Sequence, residues 1–384
     1  MELMRIYTII NPMIVFWGIW GIVCVLLELK LSLWLVDLEE SFLLFLFVAF
    51  MSNFIGYLYG SLFCINKIKK QILEIDYKKL WEITRKILYV WIVLNCVQIV
   101  YSEGVPCLWL ITGNEKTYFD FGIHGINGCL MAIYYVICLN IYLILRKNKN
   151  IKYKILFILL MLWPVLLVTR QVIIVLAIEL FLLSISFKRV NTKLLFNYVC
   201  VFLVGILLFG IMGDFRTGGE VFLELAMPSS DLIYLLPPGV FWGYIYMTTP
   251  IANLQNIFLY IPPLDQLYYS ISTLVPSFIR WIMFDTPPGW NVGDGLITST
   301  FNVSTFMADF YMDYGVLYVY FIMFFIGCFS KVIHHRVQYN TSYANMLIYC
   351  VFMQMLILSI FDDMFLYLPI IFQIIVIYYV KRRL

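Results

Sequence analysis

The chain is poor in charge. Of its 384 residues, 26 are Lys or Arg and 23 are Asp or Glu, so 13% are charged, against about 25% in an average soluble domain. That scarcity excludes a soluble globular protein, a disordered chain and a nucleic-acid-binding module, each of which needs a far more polar composition. Nine cysteines are present, but no CxxC pair and no Cys/His cluster, so neither a disulfide framework nor a zinc site is indicated. Eight of them lie in apolar runs, where a thiol behaves as a small hydrophobe; only Cys107 falls in an external loop. There is no GxxxxGKS or GxGxxG loop to cradle a nucleotide and no HExxH to hold a catalytic zinc. No row of charges inside the apolar runs suggests a proton pump. No metal and no cofactor are expected.

What is abundant is apolar surface: 63% of residues are hydrophobic and the mean hydropathy is +0.90. A membrane-spanning helix takes about 20 mostly apolar residues. Segments near 6–27, 41–65, 87–102, 123–145, 155–169, 171–187, 196–213, 307–330, 341–361 and 364–380 qualify as ten spans. The expected fold is an all-α polytopic membrane protein, divided into an N-terminal bundle (1–213, seven spans), an extracytoplasmic loop region (214–306) and three C-terminal helices (307–384). Arg5 precedes the first apolar run with no small-residue cleavage site, which reads as a retained first span rather than a removed signal peptide.

Positive charge orients the spans. With both termini inside, 21 of the 26 cations fall in inside segments, leaving outside only Lys30, Lys116, Arg170, Arg216 and Arg280. Of the 23 acids, only Glu2, Glu74, Asp76 and Glu82 lie inside, and Glu179 lies within a span. The apolar run 155–187 tests this scheme, because as one straight helix it would be about 50 Å long, far beyond a core roughly 30 Å thick. Broken near Thr169-Arg170-Gln171 into a hairpin, it preserves the charge rule and brings Arg170 to the outer surface.

The segment 214–306 holds nine of the thirteen prolines. Structureless loops of this length are uncommon unless functional. Apolar stretches at 240–260 and 264–284 predict short helices on or dipping into the outer surface; a passive cap over the bundle is the bland alternative. The segment carries seven acids but only Arg216 and Arg280. Arginine's planar fork suits bidentate binding of phosphate, so Arg170, Arg216 and Arg280 are candidates for holding a diphosphate at headgroup level. Alternatively, Arg216 pairs with Asp214 or Glu220, and Arg280 snorkels. His124, beside glycines at the mouth of a span, is either a base or hydrogen-bond donor or a structural residue. Asp309 and Asp313 are four apart and share one helix face, as sugar-binding or proton-transferring acids or as solvated interfacial residues. Glu179 inside a span needs a partner or a proton.

Several of these segments together resemble the Wzy-type O-antigen (oligosaccharide repeat-unit) polymerases of bacterial inner membranes. The resemblance lies in Ser102-Glu103-Gly104-Val105-Pro106, Phe119-Asp120-Phe121-Gly122-Ile123-His124-Gly125, Thr169-Arg170 and Gly213-Asp214-Phe215-Arg216-Thr217-Gly218. It continues in Tyr246 to Asn253, and in Ser304-Thr305-Phe306 through Asp313-Tyr314-Gly315. It implies a GT-C-like membrane glycosyltransferase that moves a growing glycan from undecaprenyl diphosphate onto the non-reducing end of a single lipid-linked repeat unit. Its site would face the periplasm, with Arg170, Arg216 and Arg280 on the diphosphate and His124, Asp309 or Asp313 as base. Asp120, Tyr246 and Asn253 would contact the substrate. Lipid-linked oligosaccharides, membrane lipids and a chain-length-determinant protein are the implied partners. An O-antigen ligase would share these features. A lipid-linked oligosaccharide flippase would instead show internal repeats and charges inside the bundle, and no repeat is found.

Overall fold

The computed structural model describes residues 2–4, 9–64, 73–123, 125–188, 219–230, 238–283, 295–298 and 300–384, with isolated positions between 192 and 235. Among them the chain is helical apart from one short antiparallel pair, β1 (Glu2–Met4) and β2 (Leu73–Ile75). The helices are α1 (Pro12–Leu27), α2 (Glu40–Gly60), α3 (Tyr77–Tyr101), α4 (Pro106–Thr112), α5 (Ile126–Lys147), α6 (Ile151–Leu166) and α7 (Arg170–Ser186). After them come α8 (Gly219–Ala226), α9 (Pro238–Tyr260), α10 (Tyr269–Ser272), α11 (Ser277–Met283), α12 (Phe306–Tyr339), α13 (Tyr343–Leu358) and α14 (Leu368–Arg383).

A helix stands at nine of the ten expected intervals; the tenth, 196–213, lies largely outside the described residues. Four stretches, Glu40–Cys64, Tyr77–Thr112, Ile126–Lys147 and Phe306–Tyr339, are long and apolar enough to cross a membrane. They mark the chain as a helical membrane protein. The most apolar 18-residue stretch of α5 is 72% buried, against 28–33% for the other three, so α5 is the axis and the others turn apolar flanks outward. Leu44, Phe47, Val100, Leu159 and Leu317 are among the exposed side chains, as lipid contact requires.

Between α2 and α12 the backbones nearly touch. A Cβ added at Gly56 would lie 1.9 Å from the Phe324 carbonyl oxygen, and one at Gly327 1.9 Å from that of Asn53. Gly56 and Gly60 form a G-x-x-x-G on α2, the spacing that lets membrane helices pack closely. Ser52 Oγ and Asn53 Nδ2 use that proximity to donate to the carbonyls of Tyr320 (2.7 Å) and Met323 (3.1 Å).

The run 155–187 breaks where charge balance requires. Helix α6 ends at Leu166, Val168 takes a left-handed φ of 56°, and Arg170 opens α7. A β-branched residue rarely adopts that conformation, so the break is a strained turn. Pro164 sits inside the last turn of α6, short of the break.

The 214–306 region departs from expectation in one respect. Helices α8, α10 and α11 are short, but α9 has 23 residues. Pro250 does not end it. The hydroxyls of Thr248 and Thr249 donate to the carbonyls of Tyr244 (2.8 Å) and Ile245 (2.7 Å), bracing the turn that leads into the proline. The Tyr244 hydroxyl accepts from Leu31 N (3.0 Å), Gln255 Oε1 accepts from Glu39 N (3.0 Å), and the Phe258 ring stacks on Phe45 with centroids 5.0 Å apart. Helix α9 therefore lies across the ends of α1 and α2, beside the start of α12. Phe222, Trp242 and Phe301 form a second apolar cluster beneath it, with the Phe222 and Trp242 rings stacked at 3.5 Å.

Candidate functional site

One end of the bundle collects the features that sequence reading singled out. The C-terminal end of α3 meets the N-terminal end of α5, where Gly122 N donates to Ser102 Oγ (2.7 Å). The start of α7 reaches the 359–367 turn through Gln171 Nε2 and Met364 Sδ (3.9 Å). The start of α12 is pinned to the end of α13 by Phe306 N donating to the Ser359 carbonyl (3.0 Å), and the start of α14 to Thr273 by Leu368 N (3.1 Å). Of the five cations left outside by orientation, the four described ones, Lys30, Lys116, Arg170 and Arg280, all lie at this end. The opposite end carries Arg146 and Lys147 on α5, Arg336 on α12, and Lys381, Arg382 and Arg383 on α14.

Arg170 is half-buried at the first position of α7. Arg280, also half-buried, lies in the last turn of α11 and donates through Nη1 to the Ser272 carbonyl (3.1 Å). One bond leaves most of the guanidinium's five donors for other acceptors. Lys30 pairs with Asp37, and Lys116 with Glu103 at 2.7 Å. The Lys116 ammonium holds the Glu103 carboxyl below the usual carboxylate range. Arg216 and His124 lie outside the described residues.

The two acids of α12 have different surroundings although they share a face. Asp313 is fully buried. Its Oδ1 accepts from the backbone N–H groups of Tyr268 (3.0 Å) and Tyr269 (2.7 Å), and its Oδ2 from Ser270 N (3.1 Å) and Ser270 Oγ (2.6 Å). A carboxylate has about four acceptor positions, and all are filled. Asp313 is thus an anchor for the 268–270 segment. Gly315, at φ 71°, breaks α12 just beyond it. Asp309 is only half-buried and keeps its carboxylate within electrostatic reach of Asp362 and Asp363.

Asp363 is the residue that sequence reading missed. It is 1% exposed. Its Oδ1 accepts from Phe365 N (2.8 Å) and Leu366 N (3.3 Å), while its buried Oδ2 has no hydrogen-bond partner among the described residues. Burial pushes the carboxyl up to about 7 against the pull of those two N–H groups. A carboxylate held near neutral pH with one oxygen available is suited to take or give a proton. The signal in the sequence was Asp362-Asp363 between two apolar helices.

The three residues expected to touch substrate have structural employment. Asp120 is exposed and closes a capping box with Thr117, accepting from its N (2.7 Å) and Oγ1 (2.9 Å). Asn253 is fully buried and staples α9 to 297–303. Its Nδ2 donates to the carbonyls of Phe301 (2.9 Å) and Val303 (2.7 Å), and its Oδ1 accepts from Ile297 N (2.8 Å). Tyr246 is half-buried and stacks on Trp242 at 5.6 Å, in the second apolar cluster. Glu179 in α7 has its partner: Gln373 Nε2 of α14 donates to both carboxyl oxygens, at 3.0 and 2.9 Å. An open apolar groove of about 470 Å³ runs along α1, lined by Trp17, Gly18, Gly21, Ile22, Val25 and Leu26. Among the described residues, no group of three His, Cys, Asp or Glu side chains is placed to hold a metal ion.

Comparison with known proteins finds no matching family, no matching characterised protein and no matching solved structure.

Proposed function

We propose that this chain is a ten-span, GT-C-like glycosyltransferase of a bacterial inner membrane, with both termini cytoplasmic. It would polymerise lipid-linked oligosaccharide repeat units at the periplasmic face. The observation that supports this reading best is the company kept at one end of the bundle. There, the half-buried Arg170 and Arg280 stand at the same end of the bundle as the buried Asp363, whose Oδ2 has no hydrogen-bond partner among the described residues. The growing glycan leaves undecaprenyl diphosphate and joins the non-reducing end of a single repeat unit.

The chemistry asks for little else. The acceptor hydroxyl oxygen attacks the anomeric carbon of the donor, and the bond from that carbon to the diphosphate oxygen breaks. The electron pair goes to the diphosphate and the hydroxyl proton to a carboxylate. Guanidinium groups in a site of low dielectric stabilise the charge that collects on the leaving diphosphate, which is why cations can serve where a metal otherwise would. Asp363 and Asp309 are the carboxylates with capacity to accept the proton; Asp313 is saturated. The apolar groove along α1 is suited to a polyprenyl tail.

The deciding experiment deletes the gene in its host and resolves surface polysaccharide on a gel. A polymerase predicts loss of the ladder with one repeat unit still attached to core. Complete loss of attached sugar points to a ligase or flippase and refutes the reading.

A further inference from the structure

We infer that Gln98, Asn127 and the Gly122 backbone between them form a pocket for the uncharged saccharide part of a lipid-linked glycan. This rests on the glycosyltransferase reading and names a substrate subsite within it. Gln98 is 1% exposed on α3, yet neither its Nε2 nor its Oε1 has a hydrogen-bond partner among the described residues. The same holds for Asn127 Oδ1 in the first turn of α5. Three unsatisfied amide atoms on neighbouring helices are a heavy cost, because buried polar groups are otherwise nearly always bonded.

The atoms converge. A Cβ at Gly122 would lie 2.2 Å from Gln98 Oε1 and 3.3 Å from Asn127 Cβ, and Gly122 holds φ 82°, a conformation that favours glycine. Glycine at 122 therefore lets the backbone approach both amides where a side chain would collide with Gln98 Oε1. Nearby, Trp109 Nε1 is a buried donor that also has no hydrogen-bond partner. The Trp109 ring lies 6.4 Å from Phe121, which lies 6.3 Å from Trp163. Amides that donate and accept, set among aromatic faces, match a sugar's hydroxyls and its apolar C–H face.

Among the described residues of this loop the one cation, Lys116, is engaged by Glu103, which favours an uncharged ligand. The two amides lie beside the start of α14. Gly128, next to Asn127, would meet Leu368 Cδ2 at 3.3 Å if it carried a Cβ, and Leu368 follows the turn that holds Asp363.

The test measures thermal unfolding of the full chain in nanodiscs. Two probes are used: undecaprenyl-diphosphate-linked repeat unit extracted from the gene-deleted host, and sugar-free undecaprenyl diphosphate. Wild type should gain more from the glycan-bearing lipid than from the bare carrier. Gln98→Met removes the unsatisfied amide at similar volume, so the unliganded protein should melt no lower than wild type. Its response to the bare carrier should persist, and its response to the glycan should need about tenfold more lipid, equivalent to about 1.4 kcal/mol. Retention of the full glycan increment in Gln98→Met overturns the inference. A wild type that responds equally to both lipids overturns it too, while sparing the diphosphate reading. A wild type that responds to neither sinks both. Asn127→Leu is the second route if Gln98→Met does not fold; failure of both to fold makes the amides structural and overturns the inference.

Discussion

Replacing Asp313 with Ala separates an anchor from a base. In the native protein three backbone N–H groups and one hydroxyl converge on this carboxylate, at 2.6–3.1 Å and in full burial. Hydrogen bonds to a charged group contribute roughly 1.5–3 kcal/mol each, so simple addition over the three N–H groups gives about 5–9 kcal/mol. Water entering the vacated space will restore part of this. Two further bonds, Leu264 N to the Met312 carbonyl (2.8 Å) and Gln266 N to the Asp313 carbonyl (3.2 Å), keep the segment near α12. The expected net loss is about 3–5 kcal/mol, concentrated in local opening of 264–272. Hydrogen exchange of that segment in detergent micelles should rise steeply, ahead of any change in α5. Asp313→Asn should lie between: its oxygen can still accept from Tyr268 and Tyr269, while its NH₂ opposes the Ser270 N–H. A loss under about 1 kcal/mol with unchanged exchange in Asp313→Ala would refute the anchoring role. Normal stability in both variants, with polymer lost in both, would return Asp313 to the chemistry.

Gly56→Ala drives a methyl into the Phe324 carbonyl and should cost more than about 2 kcal/mol. Gly18→Ala on α1, with nothing within 4 Å of the added carbon, should be neutral or stabilising by up to about 1 kcal/mol; membrane yield and melting temperature check both. Arg170→Ala and Arg280→Ala at normal protein levels should abolish long polymer on gels, and retained ladders would refute their role on diphosphate. Asp363, pushed up to about 7 from 3.8, binds its proton more tightly folded than unfolded. Its contribution is therefore full below about pH 4 and falls as pH rises toward 7, by about 4 kcal/mol in all. Asp363→Asn should flatten that part of the stability-against-pH curve, and an unchanged slope would contradict the burial.

The helices were legible because each long apolar run had to pair its own backbone in a membrane, and the break before Arg170 followed from length and charge alone. Contacts distant in sequence were not legible. Nothing local marks Asp313 as the acceptor for residues more than 40 positions earlier, or Asn253 as the staple to 301 and 303. Gln98 was hidden inside an apolar run, and Asp363 inside a turn. Both acquire significance only from what fails to reach them. The length of α9 was not legible either: a proline breaks an isolated helix, but α9 is held by packing along its length and runs through Pro250. The G-x-x-x-G at 56–60 was on view in the sequence, and its spacing could have identified the α2–α12 contact.

Two independent asymmetries select the same end of the molecule. One is cationic: the cations at this end are few, and among the described ones only Arg170 and Arg280 are arginines. The other is a concentration of polar atoms that are buried and have no hydrogen-bond partner among the described residues: Gln98, Trp109 Nε1, Asn127, Thr169 Oγ1, Ser304 Oγ, Thr305 Oγ1 and Asp363 Oδ2. At the basic end the corresponding atoms are Arg146 Nε and Asn340 Oδ1, and within the bundle they belong to Gln354 and Gln373. A passive cap has no reason to accept that cost, since apolar side chains of similar size would stabilise it. A site that must bond a polar substrate does have a reason, because its groups are satisfied only when the ligand is present. Substitutions that fill these positions with apolar side chains should therefore raise melting temperature and lower polymer yield together, whereas a structural cap would gain stability without losing product.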